Sequence, residues 1–472
     1  MPEPKTSQRV YEKLYTDIAC GKYQYEEPLP SIIHLSEQFS VGRNTMRSVL
    51  KRLEEDQFIK QEKGKNACVI FDNTSPKYFQ IFQETIYGRL PAMIEIFQVM
   101  EYIMPEIVEE SLRVATAEDI EQIKLRIQTL KNKSMMSSYE LMDALMSIYL
   151  YAFSLMHNDH VVDLFTEMME FVTVIAPKSS IHVSEMTRSI RFLGQMMSTI
   201  VDYTVKRDAG MMKKAVKLMA HSSSKQIQRY VHTTIDEHIA FHPFPFHWNC
   251  NQDYLYQRIV IDILNDINLG KYDAHKDLPA FEQLAEQYHV SVRTSRKAID
   301  VLNSYHVVKT INGVGSFVCV EVGDAKVICQ NKEILSHIRD YCEMLQLLAL
   351  CIKGIGYPFL RSMSEDEIND ILEAMKETPS LKPLIQFLFI QNSTLMSIYQ
   401  EIVKDCSWNV YVQSLYPFQK EAYDFSKAFQ TMQQNLKRRR FKQVMKQVNE
   451  MMAYIYAHTY DVYQQMSAQA ES

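Results

Sequence analysis

The chain repeats itself, and that repeat constrains its fold more than any other feature. Gly21-Lys22-Tyr23 returns as Gly270-Lys271-Tyr272, an offset of 249. Leu29-Pro30 and Leu278-Pro279 keep that offset. So do Leu35 and Leu284, Gln38 and Gln287, Val41 and Val290, Thr45 and Thr294, Arg47 and Arg296, Leu53 and Leu302, Gly64 and Gly313, and Val69 and Val318. Residues 10–70 pair with 259–319 without a gap and with 17 identities. Chance rarely places so many identities in one register. The chain therefore reads as a duplication of a unit of roughly 240 residues.

Each unit divides in two. The repeated segment comes first, and a longer segment of helical period follows it. Met93, Ile96, Phe97, Met100, Ile103, Met104, Ile107 and Val108 fall on one helical stripe; Leu335, Ile338, Cys342, Leu345, Ala349 and Ile352 fall on another. Pro105 is expected to kink the first of these helices. No strand alternation appears in either long segment, and only 12 glycines argue against a chain rich in tight turns. The expected fold class is mainly α. Two shorter domains, 1–73 and 253–321, alternate with two all-helical bundle domains, 74–240 and 322–472; the shorter ones read below as winged helix-turn-helix domains, from their two helices and a hairpin. A linker, 241–252, joins the halves, and its prolines extend it.

The net charge of −6 does not support nucleic-acid binding by the whole surface, so such binding must come from a local patch. The N-terminal MPEPKTSQR has no apolar core of a signal peptide. No uninterrupted apolar run approaches the ~20 residues of a membrane helix. The eight cysteines form no CxxC pair and read as small buried hydrophobes in a reducing compartment. A cytoplasmic location and no membrane partner are expected.

A local patch does exist. In SVGRNTMRSVLKRLEEDQFI (40–59), Met46, Val49, Leu50 and Leu53 follow i, i+3, i+4, i+7, so a helix from about Arg43 to Glu55 packs that face inward. Arg43, Asn44, Arg47 and Lys51 share the opposite face, with Thr45 between. A shorter helix capped by Ser31 precedes it and runs to Phe39. A recognition helix needs this arrangement, because its first turns must meet both phosphates and base edges. Phe58-Ile59 and Cys68-Val69-Ile70 bracket KQEKGKNA, a hairpin whose tip carries Lys63, Gly64 and Lys65. The copy HVSVRTSRKAIDVLNSYHVV (289–308) has Ser291 as cap. Ser295, Ala298, Ile299 and Leu302 face inward, and Arg293, Thr294, Arg296 and Lys297 lie on the cationic side. Its hairpin VVKTINGVGSFVCV turns at Asn312-Gly313, with Gly315 close behind.

LPSIIHLSEQFSVGRNTMRSVLKRLEEDQFI…GKNACV resembles the winged-helix head of the GntR family of bacterial transcription regulators, and so does LPAFEQLAEQYHVSVRTSRKAIDVLNSYHVV…GVGSFV. The resemblance covers about 65 residues in each half. It implies DNA contacts at Arg43, Asn44, Thr45, Arg47, Arg293, Thr294 and Arg296 and at the wing tips, including Lys63, Lys65, Gly313 and Gly315. Three positions depart from the family pattern. Ile33 and Glu282 stand where an arginine is usual, and Val292 replaces the first of the paired helix arginines that Arg43 keeps.

The long segments resemble the family's helical effector domain, with VATAEDIEQIKLRIQTL (114–130) and MSEDEINDILEAM (363–375) as its recurrent helix start. Many members hold a divalent metal there through an Asp and three His. Here Leu145 and Tyr149 fall where the first Asp and His would be. Only His221 lands near a ligand position, and it reads as a partly exposed helix-end residue. His238, His242, His247 and Cys250 match no metal spacing. No metal and no cofactor are expected.

The resemblance thus implies a regulator, not an enzyme, that binds a double-stranded operator and answers to a small-molecule effector. The Met, Tyr and Phe of the bundles suit an apolar effector. Two heads in one chain imply an internal pseudo-dimer, and the sequence leaves room for a dimer of such chains. A winged-helix interaction module with degenerate DNA binding is the alternative. An enzyme fusion ranks below it, since the helical segments are short for an enzyme domain and lack a glycine-rich phosphate cup.

Overall fold

Helices and two small β-hairpins make up the regular structure of the described residues. The computed structural model describes residues 6–19, 21–39, 41–72, 75–132, 138–172, 183–234, 255–268, 270–272, 277–319, 325–377, 380–418 and 423–471. The 241–252 linker lies wholly outside them, as do His238, His242, His247 and Cys250. Contacts divide the chain into one compact unit of Met1–Cys250 with Asn392–Ser397 and a second of Asn251–Gln391 with Ile398–Ser472.

The first unit opens with α1 (Thr6–Ala19), α2 (Ile32–Gln38) and α3 (Arg43–Glu55), followed by β1 (Ile59–Lys60) and β2 (Cys68–Val69). Ile59 pairs with Val69 and Lys60 with Cys68, antiparallel. Leu14, Leu35, Met46, Leu53, Ile59 and Val69 are fully buried in one core, which the i, i+3, i+4, i+7 pattern of α3 anticipates. The helical part follows as α4 (Pro76–Val114), α5 (Ala117–Asn132), α6 (Ser138–Ser154), α7 (Asp159–Val172), α8 (Val183–Val205) and α9 (Ala209–Thr234).

The second unit repeats this opening with α10 (Leu255–Asn268), α11 (Phe281–Gln287), α12 (Val292–Ser304), β3 (Val308–Ile311) and β4 (Gly315–Val318). Its hairpin is longer, four antiparallel pairs from Val308↔Val318 to Ile311↔Gly315. The Leu-Pro segment edges each hairpin in the same way. Leu29 N–H donates to Ala67 O and Leu278 N–H to Ser316 O, each at 2.7 Å. The helical part contains α13 (Ala325–Gln330), α14 (Lys332–Ser362), α15 (Glu365–Glu377), α16 (Lys382–Ile390), α17 (Ser393–Asp405), a 3₁₀ turn at Cys406–Trp408, α18 (Asn409–Leu415), α19 (Phe425–Lys437) and α20 (Phe441–Glu471).

The two apolar stripes meet different fates. On α4, Ile96, Met100, Ile103, Met104, Ile107 and Val108 are buried as expected, and Phe97 is half-buried. The helix assignment continues through both Pro91 and Pro105, where a kink was expected at the second. On α14, Ile334, Tyr341, Met344, Leu347 and Leu350 are buried besides the expected stripe, so the helix is apolar on more than one face. A helix of that kind belongs in a core. By length and composition α14 could also cross a membrane, although its apolar residues form no uninterrupted run of spanning length; 56% of its apolar window is buried inside the protein. A Cβ at Gly356 would meet the Met445 side chain of α20, so glycine lets these two long helices approach closely.

The two family-like helix starts are reciprocal caps. The Thr116 Oγ1 accepts from Asp119 N–H at 3.2 Å, while Asp119 accepts from Thr116 N–H at 2.9 Å. Ser364 and Glu367 do the same at 3.2 and 2.8 Å. Each pair satisfies two donors that a helix N-terminus leaves open. Burial pushes the Cys342 and Cys351 thiols up to about 12, as suits small buried hydrophobes.

Candidate nucleic-acid interface

Each head builds its outward surface from the same three pieces: the short helix, the longer helix after it, and the hairpin. In the first head, Ser31 Oγ accepts from His34 N–H at 3.2 Å and starts α2. Met46, Val49, Leu50 and Leu53 anchor α3 inward. Arg43, Asn44, Arg47 and Lys51 are exposed and Thr45 is half-buried. Arg47 Nη1 donates to Asn44 Oδ1 at 3.0 Å, so an arginine and an asparagine of the exposed face hold each other. Lys51 Nζ lies 3.5 Å from Glu55.

Arg52 is a tie within the head. Its guanidinium lies 3.8 Å from the centroid of the Tyr11 ring and hydrogen-bonds Gln8, both on α1. The Tyr11 hydroxyl in turn donates to Asp56. Burial, with help from the Asp56 carboxylate, pushes that phenol well above its usual range.

The first wing is less basic than its lysines suggest. Glu62 lies 2.9 Å from Lys65 and 3.4 Å from Lys60, and these partners hold its carboxyl below the usual range. Gly64 sits at the tip with φ +81°, a conformation that glycine adopts without strain.

The second head keeps the frame and changes the chemistry. Ser291 Oγ accepts from Thr294 N–H at 3.2 Å and lies 2.8 Å from Thr294 Oγ1. Gly42 takes that cap position in the first head and makes no side-chain cap. Ala280 replaces Ser31 and cannot cap with its side chain; Gln283 accepts a different group, Ala280 N–H, at 2.9 Å. Arg293, Arg296 and Lys297 are exposed and Thr294 is half-buried. Arg296 lies over the Phe281 ring at 5.2 Å and Lys297 over Tyr256 at 3.8 Å, so part of this charge rests on aromatic faces of its own head. Gly313, φ +78°, and Gly315, φ +152°, shape the wing turn.

One feature of both heads escapes the sequence reading. Glu54 Oε1 accepts from Gln61 N–H at 2.7 Å, and Asn303 Oδ1 accepts from Thr310 N–H at 2.9 Å. These residues are one offset of 249 apart. A side chain near the end of the recognition helix thus holds the wing in both copies, just past β1 in the first and within β3 in the second. Polar residues at both ends of the same spacing were the available signal, but none of the four is identical to its counterpart.

The heads join their helical parts by different chemistry. In the first unit, Lys13 Nζ lies 2.9 Å from Glu167 and Lys22 Nζ lies 3.1 Å from Glu170, which ties α1 and the turn after it to α7. In the second, Tyr411 donates to Tyr305 O at 2.5 Å and Asn268 Nδ2 to Ser407 O at 2.7 Å. His337 stacks on Trp408 with ring centroids 3.9 Å apart, and Tyr305 meets both rings edge-on. Burial lowers the His337 pKa to about 4.

The metal positions implied by resemblance do not offer a metal its ligands. Leu145 is buried and has no donor atom. Tyr149 is buried against Phe153 and Phe165, with its hydroxyl 3.1 Å from Met219 Sδ. His221 is mid-helix in α9 rather than at a helix end, and its Nδ1 lies 3.0 Å from Glu101 Oε2. This donor set does not fit a bound divalent metal.

The sequence model of the family described as bacterial regulatory proteins, gntR family, matches residues 6–69 and again 255–318. No curated protein matches the chain. Solved structures similar to it include Lar, described as controlling the expression of the Listeria monocytogenes agr system. It is 16% identical over 48% of this chain and 99% of its own, with a TM-score of 0.26. A transcriptional regulator of the GntR family from Pseudomonas syringae pv. tomato is 15% identical over 49% of this chain and 91% of its own, with a TM-score of 0.24. E. coli McbR/YncC is 11% identical over 49% of this chain and 99% of its own, also with a TM-score of 0.24.

Proposed function

Since this chain belongs to the gntR family of bacterial regulatory proteins and carries that family's DNA-binding head twice, we propose that one chain brings both heads to one double-stranded operator. The duplication carries this reading. Relatives with a single head need two chains to read two half-sites, and the two-fold axis then makes the half-sites alike. A chain with two heads is an internal pseudo-dimer without that restriction. Its outward residues have diverged accordingly, Arg43-Asn44-Thr45 against Val292-Arg293-Thr294. The operator is then an asymmetric pair of half-sites about one helical turn, ~10 bp, apart or a multiple of that.

The helical parts serve as the regulatory elements of this reading. Each connects physically to its head, through Lys13–Glu167 in the first unit and Tyr411–Tyr305 in the second. A small molecule that favours one arrangement of a helical part shifts the head with it. An apolar effector is suggested by the Met, Tyr and Phe content of these parts. The site of action is the cytoplasm, where bacterial DNA lies.

The test is stoichiometry with footprinting on duplexes selected from a random library. One chain per operator and an unequal pair of protected half-sites are expected. A strict palindrome bound only by two chains, with Arg293→Ala and Arg296→Ala without effect, would defeat the pseudo-dimer.

A further inference from the structure

The second head exposes hydrocarbon where the first exposes charge. Val292 is 38% exposed, Ile311 43% and Val314 73%. Their counterparts at the offset of 249 are Arg43, Glu62 and Lys65. All three exchanges fall on DNA-facing pieces: the first residue of the recognition helix and two positions on the wing. The frame beneath them is intact. Ser291 caps α12, so Val292 is held in a formed first turn, and Ser295 Oγ beneath it lies 2.8 Å from Phe281 O.

From this we infer that Val292 is a specificity-determining residue, which reads the 5-methyl group of a thymine in the major groove of the second half-site. The inference rests on the DNA-binding reading above and deepens it. A recognition helix presents its first turn to base edges, and an apolar side chain there matches the one apolar group a base pair shows in the major groove. An arginine at the same place, Arg43 in the first head, matches guanine or a phosphate instead. The two half-sites therefore differ at this position, thymine under the second head and guanine or a backbone contact under the first. Val314, at the wing tip, adds an apolar contact where Lys65 of the first head carries charge.

DNA fits this surface better than an apolar protein groove does. Arg293 and Arg296 flank Val292 on the same helix, and Lys309 lies on the wing strand. Burying these cations in an apolar groove is costly, whereas phosphates on either side of a thymine neutralise them.

The experiment uses the full chain and an operator selected from random duplexes. Each thymine is replaced in turn by uracil, which removes only the 5-methyl group. One thymine in the half-site weakened by Arg293→Ala should lose binding about fourfold on this replacement, the worth of one buried methyl. The loss should vanish in Val292→Ala, and Val292→Arg should move the preference at that base toward guanine. Val292 is exposed, so melting curves of both variants should match the parent.

Tolerance of uracil at every position overturns the assignment, as does a uracil penalty that persists in Val292→Ala. If Arg293→Ala and Arg296→Ala leave operator binding intact, the second head reads no DNA and Val292 reads no base, although the first head still binds. If no duplex is bound at all, the DNA-binding reading falls with it. A Val292→Ser, Val314→Ser pair that changes self-association and not DNA binding would make this surface a protein contact.

Discussion

Asn303 holds the second wing to the recognition helix by accepting the backbone N–H of Thr310 at 2.9 Å and donating to its hydroxyl at 2.8 Å. Glu54 and Gln61 make the same clamp in the first head. The chemistry differs, amide in one and carboxylate in the other, but the geometry is shared. Asn303→Ala and Glu54→Ala should each free the wing, at a cost of about 1 kcal/mol in local stability. Amide exchange at Thr310 and Gln61 should speed up while the rest of each head stays protected. Unchanged exchange would show that strand pairing alone fixes the wing.

Arg47→Ala should weaken operator binding more than Arg296→Ala. Arg47 is held by Asn44 on an exposed face, whereas Arg296 lies over Phe281. Residues 5–70 carry 11 Lys+Arg against 9 Asp+Glu, and residues 253–320 carry 7 against 8. Loss of a base-contacting arginine costs about 1–3 kcal/mol. Titrations at fixed salt decide the order, and a larger loss at Arg296 would contradict it.

The wing lysines should separate by their partners. If Lys63 meets a phosphate, Lys63→Ala should lower the slope of log K against log salt by about 1. Lys65 is paired with Glu62 at 2.9 Å, so Lys65→Ala should change the slope less. Glu62→Gln should strengthen binding at low salt by releasing Lys65 and Lys60. An equal slope change for both lysines would mean that Glu62 gives up its partners at no cost.

The second unit should lose stability on mild acidification. His337 has an ordinary pKa of 6.5 unfolded and about 4 when buried against Trp408. Between those values the unfolded chain binds the extra proton, so stability is fully present above pH 6.5 and falls as pH drops toward 4. A shift of that size corresponds to roughly 3 kcal/mol. Melting of the full chain from pH 7 to 4.5, compared with His337→Phe, measures it. The variant keeps a stacked ring and should show a weaker pH dependence.

If Leu145 and Tyr149 occupy the positions of the family's metal ligands, as the resemblance implies, chelation should leave melting and operator binding unchanged, and Tyr149 in fact faces Met219. Stoichiometric zinc, nickel or manganese in the purified protein would overturn this alignment.

Periodicity and spacing made the heads legible. The repeat at 249 marked two copies, and inward residues such as Met46, Leu53, Ala298 and Leu302 are buried as their spacing requires. Local rules suffice there, because a helix face and a hairpin turn depend on residues only a few positions apart. The exposed faces of both recognition helices follow from the same periodicity.

What only the tertiary structure decided depends on residues far apart in the chain. Arg52 ties the helix to Tyr11 and Gln8, and Glu62 neutralises part of the wing. The first head joins its helical part by Lys13 and Glu167, 154 positions apart, and the second by Tyr305 and Tyr411, 106 apart. Helical period tells which face of a helix is apolar but not how many neighbours will cover it, so α14 read as one stripe and is buried on several sides. Side-chain partners across such separations are set by packing of the whole unit, and no local pattern encodes them.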